Sequence, residues 1–175
     1  EWIDACAPSL TRDDGEVRCP QVDEAACDAV EAKYGGSIGT WDVSAVTSMA
    51  SLFDDAACFD TSLATWDAPL VQDVSRMFFG AAKFDSALPV FGAATLTDMS
   101  RMFTFASKFN QAVSQIDTSA VTTMRSIFYD AASFNQQVDN WDTSSVTSMY
   151  GMFFNALSFD QRVNTWDTSA VTTMR

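Results

Sequence analysis

The chain has 175 residues, with 10 Lys and Arg against 23 Asp and Glu, no His, and a formal net charge of −13. Its acidity argues against nucleic acid or an anionic membrane as partner, and the absence of His removes the commonest general base and zinc ligand. Hydrophobic residues make up 47% of the chain, too many for intrinsic disorder and enough for a sizeable core.

Residues 1–40 are predicted to form an N-terminal cap, because they do not follow the repeat that fills the rest of the chain. They contain three of the four cysteines, Cys6, Cys19 and Cys27. The segment from Val22 to Lys33 is typical of a helix that ends at Gly35-Gly36. A repeat protein needs such a cap to cover the apolar face of its first unit.

Residues 41–175 follow a 25-residue period that starts at Trp41. We number each unit from this Trp as position 0, so Val or Leu recurs at +5, Met at +8, Phe at +12, Ala at +15 and Phe at +18. The region is expected to hold five full units and a partial sixth. Because the sixth stops as its helix should begin, we expect the natural chain to continue or another subunit to cover this end.

Each unit is predicted to contain one short strand and one short helix. The Ser-x-Val-Thr segment, as in Ser144–Thr147, has the β-branched residues of a strand. Ser, Thr or Asp at +7 is a typical helix N-cap, and apolar residues at +8, +11, +12, +15 and +16 fit one face of an α-helix. The fold class expected is therefore an α/β repeat, a leucine-rich-repeat-like solenoid with parallel strands and a disulfide-stapled cap.

Trp at position 0 and Phe at +12 and +18 are predicted to form the core, since aromatic residues at regular spacing are nearly always packed inside. This core ladder consists of Trp41, Trp66, Trp141, Trp166, Phe53, Phe78, Phe103, Phe128, Phe153, Phe59, Phe84, Phe109, Phe134 and Phe159.

The fourth cysteine, Cys58, lies at position +17, where other units have Lys or Ser. A disulfide between cap and repeat would explain it, and Cys27–Cys58 with Cys6–Cys19 is the favoured pairing. Four cysteines allow three pairings, and reduced thiols or a zinc site are the alternatives.

Asp recurs at +1, at Asp42, Asp67, Asp117, Asp142 and Asp167. These carboxylates are weak candidates for Ca²⁺ ligands. Capping of backbone amides in the same or the next unit is the favoured interpretation. No cofactor is expected.

Thr residues at +2 and +6 are predicted to point outward from the strands and form a flat, hydroxyl-rich face. They are Thr47, Thr97, Thr118, Thr122, Thr143, Thr147, Thr168 and Thr172. The pattern fits strand propensity with solubility, a face that binds a protein or glycan, or, more remotely, an ice-binding array.

The unit Trp141–Gln161 resembles the BspA-like surface-protein repeat, a leucine-rich-repeat-like family with ~25-residue units that includes a domain of unknown function in mycoplasma lipoproteins. The resemblance covers residues 38–175. It implies a solenoid, an extracellular or cell-surface setting, and adhesion or scaffold roles. Phe91-Gly92 in place of Trp-Asp departs from the motif.

The resulting hypothesis is a non-enzymatic extracellular repeat module that forms part of a surface assembly, with other protein subunits or glycans as partners. The alternative is a recognition or adhesion module that binds through the Thr-rich face. Neither nucleic acid nor insertion of this segment into a membrane is expected.

Overall fold

The computed structural model describes residues 36–174 and, nearer the N-terminus, the two-residue strands β1 (Leu10–Thr11) and β2 (Val17–Arg18), which pair antiparallel. Residues 36–174 contain a single 3₁₀ helix, Ile38–Thr40, and the parallel pair β3 (Asp67–Ala68) and β4 (Val90–Phe91). Within the described residues no helix has the length and apolar character needed to cross a bilayer.

The 25-residue units lie against one another in sequence order, joined at position +7 by parallel bridges one residue long. The bridges connect Ser48 to Asp73, Asp73 to Asp98, Asp98 to Thr123, Thr123 to Ser148 and Ser148 to Thr173. The strand predicted at +3 to +6 is therefore not formed, and the bridging residue is the one that follows it, which was predicted as a helix N-cap.

The α-helix predicted from +8 to about +17 does not form. Two residues of each unit, at +10 and +14, have a positive φ, which no right-handed helix accommodates. At +10 they are Ser51, Arg76, Arg101, Ser126 and Gly151, and at +14 they are Asp55, Gly80, Phe105, Asp130 and Asn155. The predicted leucine-rich-repeat-like solenoid, with a strand and an α-helix in every coil, is therefore wrong.

Hydrogen bonds between units replace those of the expected helix. Amides at +10, +12 and +14 donate to carbonyls 24 residues further along the chain, at N···O distances of 2.7–3.0 Å. The amides at +11, +13 and +15 of the first unit instead donate three residues back, as in tight turns. Apolar residues spaced by three and four positions fit this turn structure as well as a helix, which explains the error in the prediction.

Two parallel columns of phenylalanine rings run through the core. Phe103 and Phe109 belong to one unit and stack with their centroids 3.9 Å apart. Each also stacks on its counterpart in the next unit, at 5.7 Å for Phe103 on Phe128 and 6.0 Å for Phe109 on Phe134. All four rings are fully buried. The repeated apolar pattern therefore produces one continuous aromatic stack.

The tryptophans at position 0 bond to backbone that lies more than one unit earlier in the chain. The indole Nε1 of Trp66, Trp141 and Trp166 donates to the carbonyl oxygen 28 residues earlier, at 2.7, 3.1 and 2.9 Å respectively. Trp66 and Trp141 are buried, whereas Trp41 and Trp166 are partly buried. These residues combine apolar packing with a directional bond to the carbonyl 28 residues earlier.

The predicted disulfide-stapled cap is not part of the described fold. Cys6, Cys19, Cys27 and the predicted helix at 22–33 lie outside the described residues, and no disulfide joins two residues inside them. Cys58 is not a free thiol but disulfide-bonded. Its pairing and the boundary of the cap at residue 40 stay predictions.

Candidate interaction surfaces

Asp or Asn at position +19 forms a ladder of hydrogen bonds along one edge of the stack. The side-chain Oδ1 atoms of Asp60, Asp85 and Asn110 each accept from the backbone amide of the same position one unit later, at 2.8–2.9 Å. Gln136 and Gln161 donate from their side-chain amides to the same ladder, to Asn110 and Asn135. These polar side chains therefore hold units together.

The Asp residues at +1 stabilise turns within their own units. The carboxylates of Asp42, Asp117, Asp142 and Asp167 accept from the backbone amide two residues later, at 2.9–3.0 Å. The residue two positions later is a Ser in each case. Its hydroxyl, and then its backbone amide, lower the pKa of each of these carboxyls. Asp67 differs because Pro69 occupies the site of the donor and has no N–H.

The predicted Ca²⁺ ligands are not gathered into a cation site. Asp117 and Asp167 act on Asp142 only as neighbouring charges that oppose the lowering of its pKa. Over residues 36–174 no three acidic, Cys or His side chains are grouped closely enough to hold a metal ion. The geometry instead matches the amide-capping interpretation.

The Thr residues at +6 lie on an exposed row. They are Thr47, Thr97, Thr122, Thr147 and Thr172, with Gln72 in the second unit. From Thr97 onward, each hydroxyl donates to the carbonyl of the same position one unit earlier, at 3.0–3.1 Å. The hydroxyl protons are thus used within the protein, and only oxygen lone pairs face outward.

The Thr residues at +2 do not lie on this exposed row. Thr118 and Thr143 are buried, and their hydroxyls donate to the carbonyls of Asp142 and Asp167 in the next unit. Thr168, in the last unit, is exposed. Burial therefore removes Thr118 and Thr143 from the predicted eight-residue face.

A partly exposed aromatic strip runs along the stack at positions +13 and +14 and was not predicted. We define it as Phe79, Phe105, Tyr129 and Phe154, whose neighbouring ring centroids are 4.7–5.8 Å apart. Arg76 lies 3.7 Å above the Phe79 ring and pairs with Asp54. The sequence signal that could have predicted this strip is the aromatic residue that recurs at +13 or +14, beside the core phenylalanine at +12.

An apolar face ends the described stack. We define the terminal face as Met149, Met152, Phe153, Phe154, Val163, Trp166, Thr168 and Met174, which line an open cavity of ≈ 490 Å³. Val163 is 39% exposed, whereas Val138, its counterpart one unit earlier, is completely buried. Positions that are buried in earlier units, such as +22, are thus partly exposed on this face.

A protein-family model matches the chain twice, over residues 29–111 and 88–175, and its description reads "Mycoplasma protein of unknown function, DUF285". The two matches together include every unit of the stack. No curated protein and no solved structure matches the chain.

Proposed function

We propose that this chain, which belongs to the DUF285 family, is a non-enzymatic structural module of a cell-surface or extracellular assembly. Its similarity to BspA-like surface-protein repeats is part of this proposal. The observation that carries the proposal is the use of recurrent polar side chains to join units.

Support comes first from the ladder at +19 and from the Thr row at +6. Both satisfy backbone groups of the adjacent unit in copy after copy. A binding or catalytic site requires polar groups that converge on a pocket where a ligand can lie. Here the same groups hold the stack together, which suits a spacer or scaffold.

Support for a cell-surface or extracellular location comes from Cys58, which is disulfide-bonded. Disulfides persist mainly in secreted and cell-surface proteins, because cytosolic thiols are kept reduced. The absence of His from the sequence also fits a role without acid–base catalysis at neutral pH.

Two measurements test the proposal. Protease added to intact cells of the source organism should remove the protein while a cytosolic marker survives, and protection of the protein would contradict the surface location. The purified chain should release no product from peptide or polysaccharide substrates. Turnover that is abolished by replacing one of its own carboxylates would contradict the non-enzymatic role.

A further inference from the structure

Lysine and arginine residues are concentrated next to the aromatic strip, although the chain carries a net charge of −13. Positions +9 to +17 of the second, third and fourth units are residues 75–83, 100–108 and 125–133. These segments contain one acid, Asp130, and five of the seven basic residues that follow residue 36. The five are Arg76 and Arg101 at +10, Arg125 at +9, and Lys83 and Lys108 at +17. In the second and third units a cation thus comes before and after the aromatic residue.

Phe105 is accessible in the interior of the stack. Its ring contacts Phe79 on one side at 5.3 Å and Tyr129 on the other at 5.8 Å, yet 44% of the residue is exposed. Neighbouring units on both sides therefore leave it uncovered. Apart from Arg76, the five cations form no ion pair with any residue from 36 to 174.

Arg76 already binds a carboxylate on this surface. Its guanidinium lies 3.7 Å above the Phe79 ring and donates to both carboxylate oxygens of Asp54, at 2.8 and 3.0 Å. An arginine stacked on a ring keeps the edge of its planar guanidinium free for such a bidentate bond. Asp54 occupies +13 of the first unit. The same position of the second unit is Phe79, so Arg101 lacks the corresponding carboxylate.

The charges and the backbone around the strip select among possible occupants. A two-fold contact between the strips of two copies would place cations against cations. A long polyanion or an anionic bilayer would be repelled by the rest of a chain with a net charge of −13. A glycan needs polar groups beside the rings, and the amides at +10, +12 and +14 already donate to the next unit. A short peptide needs only the rings and the cations.

We propose that the aromatic strip binds a short acidic segment of a partner protein, in which Asp or Glu stands on both sides of an aromatic residue. The aromatic side chain packs on Phe105, and the carboxylates pair with Arg101 and Lys108. The inference rests on the proposed structural role and names the chemistry of one partner.

The experiment titrates the synthetic peptide Glu-Asp-Phe-Asp-Glu into the full chain, followed by two-dimensional NMR. We expect saturable shifts of the Arg101 and Phe105 amides. Arg101→Asn combined with Lys108→Asn should weaken binding about fivefold to tenfold, because two ion pairs are lost. Phe105→Asn should weaken it to a similar extent. Asn tolerates the positive φ of residues 101 and 105, so these variants keep the fold.

The matched control is Arg162→Asn, which removes an exposed arginine outside the three segments and should leave the affinity unchanged. A peptide with Lys in place of each acid should not bind. Absence of saturable shifts at the strip, or equal weakening by Arg162→Asn, would overturn the inference. Tighter binding of polygalacturonate or of phosphatidylserine vesicles to the strip would overturn the assignment of a peptide. Protection of the protein from protease on intact cells would contradict the surface location and leave this titration unaffected.

Discussion

The Oδ1 atom of Asp85 accepts a hydrogen bond from the backbone amide of Asn110, which occupies the same position one unit later, at 2.8 Å. Asn110 repeats the interaction with Asn135 at 2.9 Å. A single side-chain oxygen in each unit thus satisfies an amide that lies outside any helix or sheet, and the bond exists only because the units are in register.

Replacing Asn110 with Ala should destabilise the protein by about 1–3 kcal/mol, because the Asn135 amide loses its side-chain acceptor and the Gln136 side chain keeps only the backbone carbonyl of residue 110. Asn110→Asp keeps the oxygen, as at Asp85, and should cost much less. Urea denaturation of both variants measures the difference. Equal losses for Ala and Asp would show that the acceptor contributes nothing.

Phe103 and Phe154 allow a comparison of the buried aromatic core with the aromatic strip. Phe103 is completely buried and stacks on Phe78, Phe109 and Phe128, so Phe103→Ala should cost about 3–5 kcal/mol. Phe154 is 59% exposed, and Phe154→Ala should cost about 1 kcal/mol or less. Guanidinium unfolding followed by Trp fluorescence compares them, and similar losses would contradict the assigned core.

Trp141→Phe removes the indole N–H that donates to the buried carbonyl of Val113. The expected loss is about 1–3 kcal/mol, since that carbonyl would be left without its partner. Trp166→Phe is the matched control, because its indole is only partly buried and water can replace it. Thermal unfolding should therefore show the larger decrease in Tm for Trp141→Phe.

Asp117 gives a prediction for the dependence of stability on pH. The Ser119 hydroxyl, and then its backbone amide, hold the pKa of this carboxyl below its ordinary value. The resulting stability is complete above the unfolded pKa of about 3.9 and is lost as the pH falls through the lower folded pKa. Ser119→Ala should raise the folded pKa of Asp117, as measured by NMR titration.

The control for this titration is Ser169→Ala, which removes the corresponding hydroxyl next to Asp167. It should raise the pKa of Asp167 and leave that of Asp117 unchanged. A shift of both carboxyls in either variant would point to a general change of structure instead of the loss of one local hydrogen bond.

Arg101 has a φ of 58°, which costs a residue with a Cβ about 1–2 kcal/mol, whereas Asn tolerates this conformation better. Arg101→Asn should therefore raise the free energy of unfolding by up to about 1 kcal/mol. Lys108→Asn, at an exposed position without a positive φ, should change it by less than about 0.5 kcal/mol. A loss of stability in Arg101→Asn would contradict the left-handed backbone at this position.

The sequence also contained a partial signal for the positive φ angles. Position +14 holds Asp55, Gly80, Asp130 and Asn155 in four of five units, and these residue types favour a positive φ. The fifth is Phe105, which hides the pattern. The spacing of apolar residues outweighed this signal, and the sequence therefore predicted a helix where two left-handed residues in each unit prevent one.

The sequence by itself determined the 25-residue register and the identity of the core residues, because buried aromatic positions must recur whenever the same packing recurs. Only the tertiary structure decided where the backbone amides find acceptors. The backbone amide of Phe103 donates to the carbonyl of Ile127 in the next unit at 2.9 Å. The spacing of side chains in the sequence does not predict this interaction. Only the tertiary structure also decided that Thr143 is buried while Thr147 is exposed, although the hydroxyl of each donates to a carbonyl of a neighbouring unit.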